Sequence, residues 1–233
     1  MNQKELYHYL KGQLIVSCQA LEGEPLYRPE GGIMDLMAKA AIESGAKAIR
    51  AQGVVDIAQI KQATDVPVIG IIKKSYPGYE GYITMTMAEI DALVATKADI
   101  IALDATNRRR GDGLSAYEFI QKIREKYPNI VLMGDVSTVE EGLLAEEAGC
   151  AFIGTTLSGY TAYTQEKTGP DFELIEQLAQ KLTVPLIAEG KIHYPKQAAQ
   201  ALKAGAHCVV VGGAITRPQE ITSRFMNAIK EVQ

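Results

Sequence analysis

Tryptophan is absent from this 233-residue chain, and phenylalanine occurs only four times. Cysteine is scarce and odd in number: Cys18, Cys150 and Cys208 stand far apart, with no CxxC pair. That spacing excludes a disulfide framework and a zinc site. Buried, reduced thiols are the expectation, with a nucleophile as the second possibility for Cys18 alone, near a strand end. The three histidines, His8, His193 and His207, are too scattered for a metal centre, and no metal is expected. No apolar run approaches the length of a membrane span. The first ten residues lack the apolar core of a signal peptide, so a cytoplasmic protein is expected. There is no basic excess either. The net charge is −4, which argues against a nucleic-acid partner. Low-complexity segments and linker-like stretches are also missing. With 47 % hydrophobic residues, the chain reads as one folded domain over residues 1–233.

What is present is most concentrated between positions 184 and 218. The run Val-Pro-Leu-Ile-Ala-Glu-Gly (184–190) is an apolar strand ending in glycine. A helical segment follows, and then Ala-His-Cys-Val-Val-Val-Gly-Gly-Ala-Ile-Thr-Arg-Pro (206–218). In a parallel α/β fold, glycines after such strands let the backbone approach an anion closely. The free N–H groups of the next helix then point at it. Gly190, Gly212, Gly213 and Arg217 are therefore candidate phosphate-binding residues.

An internal repeat indicates the architecture. Ala-Ile-Glu-Ser-Gly-Ala-Lys-Ala-Ile-Arg (41–50), Leu-Val-Ala-Thr-Lys-Ala-Asp-Ile-Ile-Ala (93–102), Leu-Ala-Glu-Glu-Ala-Gly-Cys-Ala-Phe-Ile (144–153) and Ala-Leu-Lys-Ala-Gly-Ala-His-Cys-Val-Val (201–210) resemble one another. Each ends a helix, turns a corner and enters an apolar strand. The corner residues Gly45, Lys97, Gly149 and Gly205 recur roughly every fifty residues. Between them lie further strand starts, of which Val-Pro-Val-Ile-Gly (66–70) and Val-Pro-Leu-Ile-Ala (184–188) are close copies. The pattern predicts strands at 14–19, 47–51, 66–73, 99–104, 130–135, 151–156, 184–189 and 207–212, and a last helix near 218–230. Eight strands alternating with helices predict a (β/α)8 TIM barrel of the phosphate-binding type. Loops after strands are long and loops before them short, so chemistry is sought at strand ends.

Those ends carry Gln19, Arg50, Lys73, Asp104, Asp135, Ser158, Glu189 and Gly212–Gly213. Alternation puts Ile69, Ile71 and Lys73 on one face of their strand. A partly desolvated lysine near a second cation such as Arg50 has a lowered pKa and can act as a base. It can equally anchor an anion or form a Schiff base. Glu189, beside a phosphate cradle, either orients this lysine or binds a sugar hydroxyl. Asp135 either serves the site or supports a helix cap at Ser137 and Thr138. The basic loop at Arg108–Arg110 and the loop carrying Tyr160 and Tyr163 are either ordinary solvated loops or covers over an anionic ligand.

Seven motifs together resemble one family. They are Ile-Val-Ser-Cys-Gln-Ala (15–20), Ile-Arg-Ala-Gln-Gly (49–53), Gly-Ile-Ile-Lys (70–73), Ala-Leu-Asp-Ala-Thr (102–106), Thr-Thr-Leu-Ser-Gly-Tyr-Thr (155–161), Ala-Glu-Gly-Lys-Ile (188–192) and Val-Val-Gly-Gly-Ala-Ile-Thr-Arg-Pro (210–218). In this order they look like the N-acetylmannosamine-6-phosphate 2-epimerases of bacterial sialic-acid catabolism. The resemblance implies interconversion of N-acetylmannosamine 6-phosphate and N-acetylglucosamine 6-phosphate by proton transfer at C2. It implies Lys73 as catalytic lysine with Glu189 as companion, substrate binding by Gln19, Arg50, Asp135 and Ser158, and Arg217 beside the phosphate. It also implies no cofactor and a homodimer. Rival readings are a Schiff-base aldolase, a metal-dependent pentose-phosphate epimerase, which lacks its paired histidines here, and a non-catalytic sugar-phosphate sensor. The Asp-x-Lys-x-x-Asp array of decarboxylases of this fold does not occur.

Overall fold

The repeat resolves into eight parallel strands that close on themselves in chain order. The computed structural model describes residues 1–232. Its strands are β1 (Leu14–Cys18), β2 (Ala48–Gln52), β3 (Val68–Ile71), β4 (Ile100–Asp104), β5 (Leu132–Asp135), β6 (Phe152–Gly154), β7 (Leu186–Ala188) and β8 (Cys208–Val211). Each pairs with its neighbour, and β8 returns to β1. All eight lie where the sequence pattern predicts them. Seven are one to four residues shorter than the pattern predicts, and β2 keeps its length but is shifted by one residue.

Nine helices accompany the strands among the described residues: α1 (Gln3–Leu10), α2 (Met34–Glu43), α3 (Val54–Ala63), α4 (Met87–Ala95), α5 (Ala116–Lys126), α6 (Val139–Ala148), α7 (Phe172–Lys181), α8 (Pro195–Lys203) and α9 (Pro218–Lys230). Three begin with the reciprocal Ser/Thr-x-x-Glu capping arrangement: Thr86 with Glu89, Ser115 with Glu118 and Thr138 with Glu141. The third pair settles one alternative. Thr138 caps α6, and Asp135 takes no part in the cap.

The corner glycines have a conformational reason. Gly45, Gly149 and Gly205 turn each chain from helix to strand at φ +105°, +110° and +104°, where a side chain is strained. Lys97 holds the same place at φ +60°. A lysine thus accepts the left-handed turn that glycine makes freely elsewhere.

Alternation along the strands separates two apolar layers. Ile15, Ala48, Ile69, Ile71, Met133 and Phe152 fill the barrel. Their neighbours, including Ile49, Val68, Leu103, Ile153 and Val209, pack outward against the helices. Helix α1 lies outside the repeat. Asn2 and Glu5 cap it, and Leu6 and Leu10 join the barrel interior. The Tyr7 hydroxyl donates to the Ala151 carbonyl at 2.7 Å, and its ring meets Phe152 edge-on at 5.0 Å. These contacts tie α1 to the N-terminal end of the barrel and leave the opposite end open.

Candidate active site

The inward-facing alternation that fills the barrel with isoleucine continues at its C-terminal rim with polar side chains. Ser17 and Gln19 follow Ile15, Lys73 follows Ile71, Thr156 follows Gly154, and Glu189 follows Ile187. They wall a cavity of about 460 Å³ that also reaches Tyr82, Gly190, Gly212, Gly213 and Arg217. Lys73 sits two residues past β3, where it makes an antiparallel bridge with Ile83 in the returning loop.

Arg50 and Asp135 lie beneath this cavity rather than in its wall. Arg50 is 1 % exposed and Asp135 fully buried. The guanidinium grips the carboxylate with two bonds, Nη1 to Oδ1 at 3.1 Å and Nη2 to Oδ2 at 2.6 Å. Its Nη1 also lies 3.0 Å from Glu189 Oε2. A buried charge needs such partners. Burial disfavours the Arg50 cation, but Asp135 and then Glu189 outweigh it and hold Arg50 protonated above its ordinary range. The sequence-based expectation that both residues bind substrate is thereby modified: they form a paired charge under the floor.

That charge acts on the two titratable groups above it. Burial, then Arg50 and Arg217, lowers the Lys73 amine to about 8. Burial raises the Glu189 carboxyl to about 7 against the pull of Arg50, with Asp135 adding to the rise. A lysine and a glutamate in one cavity therefore both exchange protons near neutrality. Gln19 donates from Nε2 to Ser17 Oγ at 2.6 Å, while its buried Oε1 has no partner. An unpaired buried acceptor at a cavity wall fits a ligand N–H or O–H.

The other end of the cavity is built by the turns after β7 and β8. Gly190 adopts φ +108°. At Gly213 a side chain would collide with the Glu220 carboxylate, its Cβ falling 2.0 Å from Oε2. Arg217 immediately precedes α9, with Pro218 in the first turn. Its guanidinium pairs with Glu220 at 2.9 Å and Glu24 at 3.2 Å. The Thr216 hydroxyl donates to the Ser17 carbonyl at 2.6 Å and pins this turn to β1. Cation, glycine backbone and helix start thus converge, as an anion site requires.

Several expectations fall elsewhere. Ser158 is not brought to the cavity. Its hydroxyl donates to Asp171 at 2.7 Å, and Thr156 stands at the wall instead. The turn that begins at Thr156 carries position 158 away from the cavity wall. Arg108 pairs with Asp104 and lies 5.4 Å over the Tyr82 ring. Arg110 stacks 3.9 Å over Phe119 and pairs with Asp112. The basic loop spends these two cations on its own packing, outside the cavity. Tyr163 donates to Glu141, whereas Tyr160 does reach the cavity. Cys18 faces the helix layer, and burial pushes its thiol up to about 12, which ends the nucleophile alternative. Thr156, Tyr82 and Ser17 are cavity residues that sequence reasoning missed. Inward alternation from Phe152 signals Thr156, but nothing local signals Tyr82. Among the described residues, no cluster of three His, Cys, Asp or Glu side chains could hold a metal ion.

Comparisons with known proteins show the family. The family described as "Putative N-acetylmannosamine-6-phosphate epimerase" matches residues 34–231. A protein of Caldanaerobacter subterraneus subsp. tengcongensis named "Putative N-acetylmannosamine-6-phosphate 2-epimerase" is 56 % identical over 98 % of this chain and 96 % of its own length. The solved structure of the N-acetylmannosamine-6-phosphate 2-epimerase from Clostridium perfringens superposes with a TM-score of 0.90. It shares 48 % identity, and 96 % of each chain is covered. Thiamine phosphate pyrophosphorylase from Pyrococcus furiosus superposes at 0.63 with 20 % identity over 97 % of this chain and 98 % of its own, a likeness of fold alone. The chain belongs to the N-acetylmannosamine-6-phosphate epimerase family.

Proposed function

We propose that this protein interconverts N-acetylmannosamine 6-phosphate and N-acetylglucosamine 6-phosphate by proton transfer at C2, in the amino-sugar branch of sialic-acid catabolism. One juxtaposition carries the reading: Lys73 and Glu189 wall the same cavity whose far end holds Arg217 and the Gly212–Gly213 turn. The names of the full-length relatives supply the substrate.

The phosphate sits against Arg217 and the backbone of Gly190, Gly212 and Gly213. Remote binding energy then places the open-chain sugar over Lys73. The neutral Lys73 amine takes the C2 proton, and the C2–H electron pair moves into the aldehyde to give an enolate. The ammonium formed on Lys73, with Arg50 beneath, offsets the enolate charge. Gln19 Oε1 accepts the acetamido N–H. Return of a proton to the other face of C2 completes the epimerisation, with Lys73 and Glu189 as the available carriers. No step needs a metal or a cofactor. A phosphorylated substrate supports a cytoplasmic enzyme. Among the described residues no helix is long and apolar enough to cross a membrane.

The working form is a homodimer. Helix α9 buries none of its side chains, and Phe225, Met226 and Ile229 are exposed. An apolar hollow of about 380 Å³ on the α8 side is lined by Leu14, Ile192, Leu202, Val211 and Ile215. A second copy of the chain is the occupant proposed for these faces.

Proton NMR of N-acetylmannosamine 6-phosphate with the protein in deuterated water tests the activity. The C2 proton signal should disappear as the second epimer accumulates. Absence of both exchange and conversion overturns the proposal. Borohydride with substrate should leave Lys73 unmodified, whereas a trapped adduct would favour the Schiff-base rival.

A further inference from the structure

Glu189 can serve the reaction only if its carboxylate is held in one orientation, and the hydrogen bonds around it name what holds it. Oε2 lies 3.0 Å from Arg50 Nη1 and 3.3 Å from Thr156 Oγ1. The same Nη1 and the same hydroxyl both reach Asp135 Oδ1, at 3.1 and 2.6 Å. Four atoms thus close a ring: Arg50 Nη1, Asp135 Oδ1, Thr156 Oγ1 and Glu189 Oε2. Oε1 accepts no hydrogen bond from the described residues, in a side chain that walls the cavity. Thr156 stands at the same wall, two residues past the strand that ends at Gly154.

Resting on the functional reading above, we infer that Thr156 is a positioning residue for this reaction: its hydroxyl ties Glu189 Oε2 to the buried Arg50–Asp135 pair and leaves Oε1 for the substrate. One hydroxyl hydrogen faces two acceptors. Asp135 keeps two bonds from Arg50 in either case, so the hydroxyl is free to turn to Glu189 whenever that group ionises. A donor of this kind favours the charged carboxylate. Thr156 opposes the burial that raises Glu189 to about 7, as Arg50 and Lys73 also do, while Asp135 acts with burial. Tyr160 and Cys208 are the remaining titratable groups that feel the Glu189 charge.

The test compares Thr156→Val, which keeps the shape and loses the hydroxyl, with Thr156→Ser, which keeps the hydroxyl. Two readouts are taken: the pH profile of C2 exchange, and the titration of Glu189 followed by carbon-13 NMR of labelled glutamate carboxyls. In Thr156→Val the Glu189 transition should move upward by about one pH unit. Its kcat should fall about tenfold, with KM for the sugar phosphate little changed. Thr156→Ser should restore both. A Thr156→Val titration that coincides with the wild type overturns the inference, and so does a Thr156→Ser variant as shifted as Thr156→Val. Circular dichroism checks folding, and Thr156→Ala repeats the comparison if valine is not accepted. A wild-type protein that exchanges nothing at C2 would sink the functional reading alone, because the carboxyl titration still reads the Thr156 contact.

Discussion

An exposed lysine is protonated almost entirely at neutral pH, so as a base Lys73 depends on what surrounds it. Its burial and the guanidinium groups of Arg50 and Arg217 all act against the ammonium form. Glu189 and Asp135 act for it, but less strongly. The balance, about 8, has a sign that can be checked. Only the neutral amine can take a proton, so kcat/KM for C2 exchange should climb as the pH is raised through that value. A profile that falls over the same range would assign the limb to another group. Substitution separates base from anchor. Arginine preserves a cation but stays protonated. Lys73→Ala and Lys73→Arg should both fold, and both should lose exchange by roughly a hundredfold or more. Near-normal exchange in Lys73→Arg would reassign the role, with Glu189 the leading candidate. The pairing of Lys73 with Arg50 is legible in the sequence because both fall on inward positions of neighbouring strands. The binding of Arg50 to Asp135 is not, since it crosses the barrel from β2 to β5 and no local pattern encodes that distance.

The β8–α9 junction joins a buried strand to the start of a helix, and its sequence serves both ends. Val210 packs inside the barrel, two glycines follow, and Arg217 precedes the proline that opens α9. Loss of Arg217 should therefore act on the phosphate and not on the fold, since among the described residues its side chain is bonded only to the partly exposed Glu24 and Glu220. Arg217→Ala should weaken binding of N-acetylmannosamine 6-phosphate about tenfold to a hundredfold, while calorimetry finds binding of the unphosphorylated sugar little changed. Equal loss for both ligands would remove the phosphate from this end. At the scale of elements the sequence is most readable where a rule repeats. The corner at Lys97 is recognisable only because three glycines share its place, and its φ of +60° bears that out. Helix α1 escapes notice because it lies outside the repeat and buries only Leu6 and Leu10. Ser158 escapes a period-of-two reading for a related reason: the turn that begins at Thr156 carries it toward Asp171.

Across the whole molecule, one helix does not follow the rule that governs the others. Each of α1 to α8 buries at least one side chain, whereas α9 buries none. Yet α9 carries an amphipathic pattern, and Arg217 and Glu220 at its start reach the cavity. A helix that shapes the site while leaving Phe225 68 % exposed gains a fixed position when its apolar face is covered. This links the proposed homodimer to activity. Sedimentation should give a mass near twice the 25.3 kDa of one chain. Charge placed on the stripe should then split the pair. Burying a side chain of this size contributes about 1.5–3 kcal/mol, and a two-fold interface counts each residue twice. Combining Phe225→Asp with Ile229→Asp should thus weaken dimerisation by more than about a thousandfold. The variant should sediment as a folded monomer with an intact circular dichroism spectrum, and its kcat/KM should fall because α9 no longer fixes Arg217. A wild-type chain that stays monomeric up to high concentration would leave α9 without its proposed cover. A monomeric variant with full activity would keep the dimer but detach it from the chemistry.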